Sequence, residues 1–188
     1  NSEFRDTIKQ EAVPVFSNAN REDVKSGCIK IFEALNFCFS RYSGDPGESD
    51  SKALTNFLID FSSPDDLENL CKSSCLNELS QLDPLITADK ILLENNVYPG
   101  STSNDREKEI IESANSDHRQ FKSEYKKASE NLTAGKMKRL IRKLSMLLWT
   151  IRSNMVHGSK IAMDDEEYQS RTEVISEITI RVLFEVIN

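Results

Sequence analysis

The sequence predicts an all-α helical bundle, and three observations carry that expectation. Apolar residues recur in steps of three and four along almost the whole chain. Only one short stretch alternates like a strand, and no second strand pattern exists to pair with it. Gly and Pro number 6 and 5 in 188 residues, too few for a loop-rich sandwich or a glycine-rich phosphate cradle. The start at Asn1-Ser2-Glu3-Phe4, with no methionine, reads as a cloning scar and is set outside the fold. Residues 1–19 are taken as an N-terminal segment, and residues 20–188 as a single all-α domain.

The first helix is expected after Asn20, which can cap it with Asp23 at the third position. Val24, Cys28, Ile31, Phe32, Leu35, Phe39 and Tyr42 then keep one apolar stripe. Gly44-Asp45-Pro46-Gly47 is a turn, followed by a short helical segment through Ala53, Leu54, Phe57, Leu58 and Phe61. Ser63-Pro64-Asp65-Asp66 reads as an N-cap, a proline at the first helical position and acids in the first turn. Leu67, Leu70, Cys71 and Leu79 give that helix its apolar side. A shorter element near residues 87–96 ends before Pro99-Gly100.

From residue 101 onward there is no proline. Residues 104–132 carry Ile110, Ala114, His118, Phe121, Tyr125, Ala128 and Leu132 on one face, where His118 reads as a satisfied core histidine. The next stripe runs from Met137 through Leu140, Ile141, Leu144, Leu147, Leu148 and Ile151 to Met155. A last stripe extends from Tyr168 to Val186, and the chain ends within it. Its Ile178-Thr179-Ile180-Arg181-Val182 stretch alternates, but its length and its acidic start at 164–167 favour a helix.

Four cysteines and two histidines offer no zinc knuckle. Cys28, Cys38, Cys71 and Cys75 all fit apolar helical positions and are expected to be reduced, which makes the cytoplasm the default compartment. No metal site and no cofactor is expected. Neither a membrane span nor a secretory leader is visible.

The net charge of −7 argues against a wholly basic nucleic-acid coat, yet it hides an asymmetry. Residues 131–163 contain Lys136, Lys138, Arg139, Arg142, Lys143, Arg152 and Lys160 and no acid, a charge of +7. The remaining 155 residues hold 17 cations and 31 carboxylates, or −14. Such a helix suits a phosphate-rich ligand or an acidic surface, the protein's own included. On a helical wheel Lys138, Arg142, Ser145, Trp149 and Arg152 form a ridge beside the apolar stripe. Trp149 on that ridge is a dimer anchor, a stacking platform for a base, or a side chain packed under another helix. The helix closes as Arg152-Ser153-Asn154-Met155-Val156-His157-Gly158. Glycine provides the stop, and the histidine stands at the negative end of the dipole.

This ending resembles the signature of HEPN domains, an arginine and a polar residue followed, four to six residues after the arginine, by a histidine that often precedes glycine. Ser153 stands where Asn, Asp or His is usual, with Asn154 next. The resemblance covers residues of about 104–188. It implies a metal-independent endoribonuclease of defence or toxin type, a homodimer with the motif lining a cleft between protomers. His157 would move a proton at the ribose 2′-hydroxyl or the 5′-oxygen, and Arg152 would stabilise charge on phosphorus. Ser153 or Asn154 would hold the pair or a phosphate oxygen. Lys160, with Arg142, Lys138 and Trp149 along the ridge, would bind substrate. The partners implied are RNA or a nucleotide, a second copy, and further domains or an antitoxin. The alternatives are a catalytically silent HEPN-like module of a larger protein that binds nucleotide, RNA or a partner, and a plain helical adaptor whose basic helix packs on acidic surface.

Overall fold

The computed structural model describes residues 47–82 and 104–157, with residues 10, 30, 33, 36, 166, 174 and 178 singly. Its described segments form five packed helices and no strand, an all-α helical bundle. In order these are α1 (Asp50–Phe61), α2 (Pro64–Cys71), α3 (Ser74–Gln81), α4 (Asn104–Glu130) and α5 (Ala134–His157).

Helix α1 is started by the Ser49 carbonyl, which accepts from the Lys52 and Ala53 amides, both at 2.9 Å. The Glu48 carboxylate ties down the first turns, accepting from Asn56 Nδ2 at 2.9 Å and pairing with Lys52 at 3.3 Å. The chain then straightens at Ser62 and Ser63, because the residue before a proline is pushed out of the helical region. Ser63 closes a capping box. Its Oγ accepts from the Asp66 amide at 3.1 Å, and its own amide donates to Asp66 Oδ2 at 3.0 Å, with Pro64 in the first turn.

The stripe from Leu67 to Leu79 does not belong to one helix. The chain breaks at Lys72 and Ser73, where Ser73 Oγ accepts from the Leu76 amide at 3.4 Å and starts α3. Two successive serines offer the backbone a cap in place of a further helical turn. The break lets Leu67, Leu70 and Cys71 of α2 and Cys75, Leu76 and Leu79 of α3 enter the same core. Cys71 and Cys75 are buried, unbridged thiols.

Helices α4 and α5 form an antiparallel pair across residues 131–133. Thr133 caps α5, its carbonyl accepting from the Met137 amide at 2.9 Å and its Oγ1 from the Lys136 amide at 3.4 Å. Helix α1 packs against α5, α3 against α4, and α2 against both. Phe57, Leu58, Phe121, Leu140, Ile141 and Leu144 lie at the centre with no exposed surface, and Phe121 and Tyr125 stack at a centroid separation of 6.2 Å. Each such side chain contributes about 1.5–3 kcal/mol by leaving water.

His118 is a buried polar member of this core. Its Nε2–H donates to the Leu79 carbonyl at 3.1 Å. That carbonyl lies in the last turn of α3, where a helix supplies no acceptor-side partner of its own, so His118 fastens the end of α3 to α4. The sequence reading of a satisfied core histidine agrees with this geometry.

Of the remaining elements expected from the sequence, the first stripe is described at Lys30, Glu33 and Asn36, which are helical. Its cap at Asn20, Cys28 and Cys38, and the element near 87–96 lie outside the described residues. Glu166, Val174 and Ile178 are helical; Ile178 is fully buried and Val174 packs on the core, in keeping with a closing helix at these positions. No helix among the described residues is long and apolar enough to cross a membrane.

Replacing His118 with Leu is expected to lower stability to urea by about 1–3 kcal/mol, the cost of leaving the Leu79 carbonyl unpaired; equal midpoints for the two proteins would remove the proposed fastening. At Gly135, a Cβ would meet only a guanidinium nitrogen of Arg139, at 4.0 Å. Gly135→Ala is therefore expected to raise the thermal midpoint, through a gain of about 0.5 kcal/mol at a first-turn helical position.

Candidate functional site

Helix α5 carries every candidate site residue except Lys160, which lies outside the described residues. Its described backbone runs unbroken through Arg152, Ser153 and Asn154 to His157. The side chains of these four lie outside the described residues. Five residues of α-helix separate Arg152 from His157 by about 7.5 Å along the axis and about 140° around it. The last turn also leaves carbonyls without helical partners, a partial negative charge that favours a cationic side chain there.

The ridge expected beside the apolar stripe does not stay at the surface. Lys138 and Arg142 are exposed and have no ion-pair partner among the described residues. One turn later Ser145 is fully buried, its Oγ donating to the Ile141 carbonyl at 2.9 Å, and Trp149 is half-buried against the core. Bundle packing therefore closes over the ridge between Arg142 and Trp149. Lys138 and Arg142 stand one turn apart on the exposed part of the ridge.

A different side of α5 remains open, along its seam with α4. Lys136 Nζ donates to the Lys127 carbonyl at 2.8 Å, and Arg139 Nε pairs with Glu124 at 3.3 Å. Lys143 Nζ donates to Gln120 Oε1, and Thr150 Oγ1 to Asp117 Oδ2 at 2.9 Å. As the α5 residue number rises, its α4 partner's number falls nearly in step, the mark of an antiparallel register. Lys136, Lys143, Thr150 and His157 recur every seven residues, so the four follow one line that drifts about 20° per step. By this register His157 stands level with the first turns of α4.

Between the helices lies an open groove of about 450 Å³, lined by Ser116, Arg119, Gln120, Ser123, Glu124 and Lys127 of α4 and by Lys143 of α5. Glu124 is its carboxylate, 13% exposed at the side chain. The hydrogen bond from Lys127, at 2.6 Å, is the main cause that lowers its pKa below the ordinary value; burial opposes the shift, and the charges of Lys127 and Arg139 reinforce it. Lys143 has no such partner, because its described polar contacts are Gln120 and, at 3.7 Å, Met146 Sδ.

Pairing the helices also redraws the basic segment. Residues 119–143, the tip of the hairpin, hold nine cations and two carboxylates, a net charge of +7 in 25 residues. Seven of the nine cations are exposed, and Lys136 and Lys143 are half-buried. Sequence reasoning missed Arg119, Gln120, Lys127 and Lys143 as neighbours in one groove. The available signal was the seven-residue recurrence on α5, combined with Arg119, Lys122, Lys126 and Lys127 on the preceding helix.

Among the described residues no group of three or more His, Cys, Asp or Glu side chains is placed to hold a metal ion. No protein-family model matches the chain, and no curated protein or solved structure matches it significantly.

A group whose folded-state pKa is lowered stabilises the fold above its unfolded value and loses that contribution as pH falls through the folded value. Glu124→Gln is accordingly expected to cost about 0.5 kcal/mol at neutral pH and low salt. The difference from the parent protein should vanish in acid below the ordinary glutamate range, and shrink in high salt. Denaturation curves across pH test this, and a difference that grows in acid would reverse the assignment.

Proposed function

We propose that the chain is a HEPN-type, metal-independent endoribonuclease that acts as a homodimer in a defence or toxin-like setting. The observation that carries the reading is the end of α5. The described helix runs unbroken through Arg152 to His157, on a hairpin whose tip bears +7. A histidine at the negative helix end is suited to holding and releasing a proton.

In the proposed reaction the ribose 2′-oxygen attacks the adjacent phosphorus, and its proton passes to one His157. The bond from phosphorus to the 5′-oxygen breaks, and that oxygen takes a proton from the His157 of the second copy. Arg152 offsets the charge that builds on the phosphoryl oxygens, with Ser153 or Asn154 holding the group in place and Lys160 on the RNA backbone. The nucleophile is part of the substrate, so the step needs no metal-bound water. Its product is a 2′,3′-cyclic phosphate.

A second reading is a silent HEPN-like module of a larger protein that binds RNA, nucleotide or a partner. One observation favours it: packing closes over the ridge at Ser145 and Trp149, so no open track follows that ridge from Lys138 to Arg152.

Purified protein is expected to cleave RNA in the presence of chelator and to leave cyclic phosphate ends. Arg152→Ala and His157→Ala should each lower the rate by about 10²-fold or more. Equal degradation by parent and variants would assign the activity to a contaminant. RNA that is bound and recovered intact would establish the silent module.

A further inference from the structure

We infer that the groove between α4 and α5 is a binding site for the phosphodiester backbone of RNA, with Lys143 as its central contact. The inference extends the ribonuclease reading by locating where substrate is gripped, well away from the reacting group.

Charge and shape lead to the same surface. The groove lining holds three cations and one carboxylate, and that carboxylate is already engaged by Lys127 and Arg139. Lys143 is half-buried and held by a neutral amide, and it forms no ion pair with a described carboxylate. Lys122, Lys126, Lys138, Arg139 and Arg142 are exposed on other faces of the same hairpin tip. Their summed field attracts a polyanion although the chain as a whole is acidic.

The chemistry of the lining selects among polyanions. Every residue in it is polar: two serines, a glutamine, three cations and a glutamate. An acidic protein surface would meet the same cations, and competition by an acidic polypeptide separates it from RNA below. A nucleic-acid backbone needs cations, hydroxyls and amides aimed at phosphate oxygens, which this lining supplies. From Arg119 to Lys127 the groove follows about 12 Å of α4, long enough for more than one phosphate.

The seven-residue line on α5 links the groove to the proposed reacting end. His157 lies fourteen residues beyond Lys143, about 21 Å along the helix. An RNA held in the groove therefore needs several nucleotides to reach it, which makes substrate length a readout independent of the chemical step.

The test measures binding of a labelled single-stranded RNA oligonucleotide by fluorescence anisotropy over a salt series. The background is His157→Ala, so that the RNA stays intact. Lys143→Met keeps the aliphatic stem and removes the charge. Lys127→Gln changes an exposed position and keeps the test available if the first variant fails to fold. Each is expected to weaken binding several-fold and to flatten the log–log salt dependence by about 0.7. In the parent background Lys143→Met should raise KM for long RNA and leave kcat unchanged, while a dinucleotide substrate shows no effect.

Unchanged affinity and salt slope in the folded variants would overturn the site. So would competition by polyglutamate as effective as that by unlabelled RNA, which would assign the surface to an acidic protein. If the parent protein leaves RNA intact while Lys143→Met still weakens binding, the groove stands and the nuclease reading fails. If RNA is cleaved but KM ignores Lys143, the nuclease reading stands and the groove fails.

Discussion

The antiparallel pairing of α4 with α5 is the constraint on which the rest of the structure depends. A helix with five cations between residues 136 and 143 repels itself, and its own sequence supplies no acid in that stretch. What holds it is the apolar side, where Leu140, Ile141, Leu144, Leu147 and Leu148 share one core with Phe121 and Ala128 of α4 and with α1, α2 and α3. Burial of each large side chain contributes about 1.5–3 kcal/mol, whereas an exposed ion pair such as Arg139–Glu124 contributes about 0–1 kcal/mol. The core therefore sets the register, and the polar seam follows from it.

That register has an electrostatic consequence. It folds the cations of α5 back along the basic half of α4, so two moderately charged helices become one strongly positive tip. Glu124 takes up Lys127 and Arg139, while the amide of Gln120 holds Lys143 without neutralising it. The same packing buries Ser145 and draws Trp149 against the core, which withdraws the middle of the other ridge from solvent. Among the described residues, most exposed cations lie at the tip.

Much of the bundle was legible from local patterns. Apolar spacing located α1, α4 and α5, and Ser63-Pro64-Asp65-Asp66 announced its capping box. The break between α2 and α3 was not legible, because an unbroken apolar stripe masked the capping serine at Ser73. The groove was hidden for a different reason. Glu124 interrupts the cations of α4 and Glu130 follows them, so no long basic run appears there, and the proximity of Gln120 to Lys143 exists only after the helices pair. Helical phase sets Lys138, Arg142, Ser145 and Trp149 along one ridge, but phase alone does not say which ridge a neighbouring helix will cover.

The central claim is that α4 and α5 together, and not α5 alone, form the surface that meets RNA. Amide chemical-shift mapping during titration with a single-stranded oligonucleotide tests it most directly. Amides of residues 119–127 and 136–143 are expected to shift together with a common affinity. Shifts confined to α5, or centred on α1 to α3, would contradict the account.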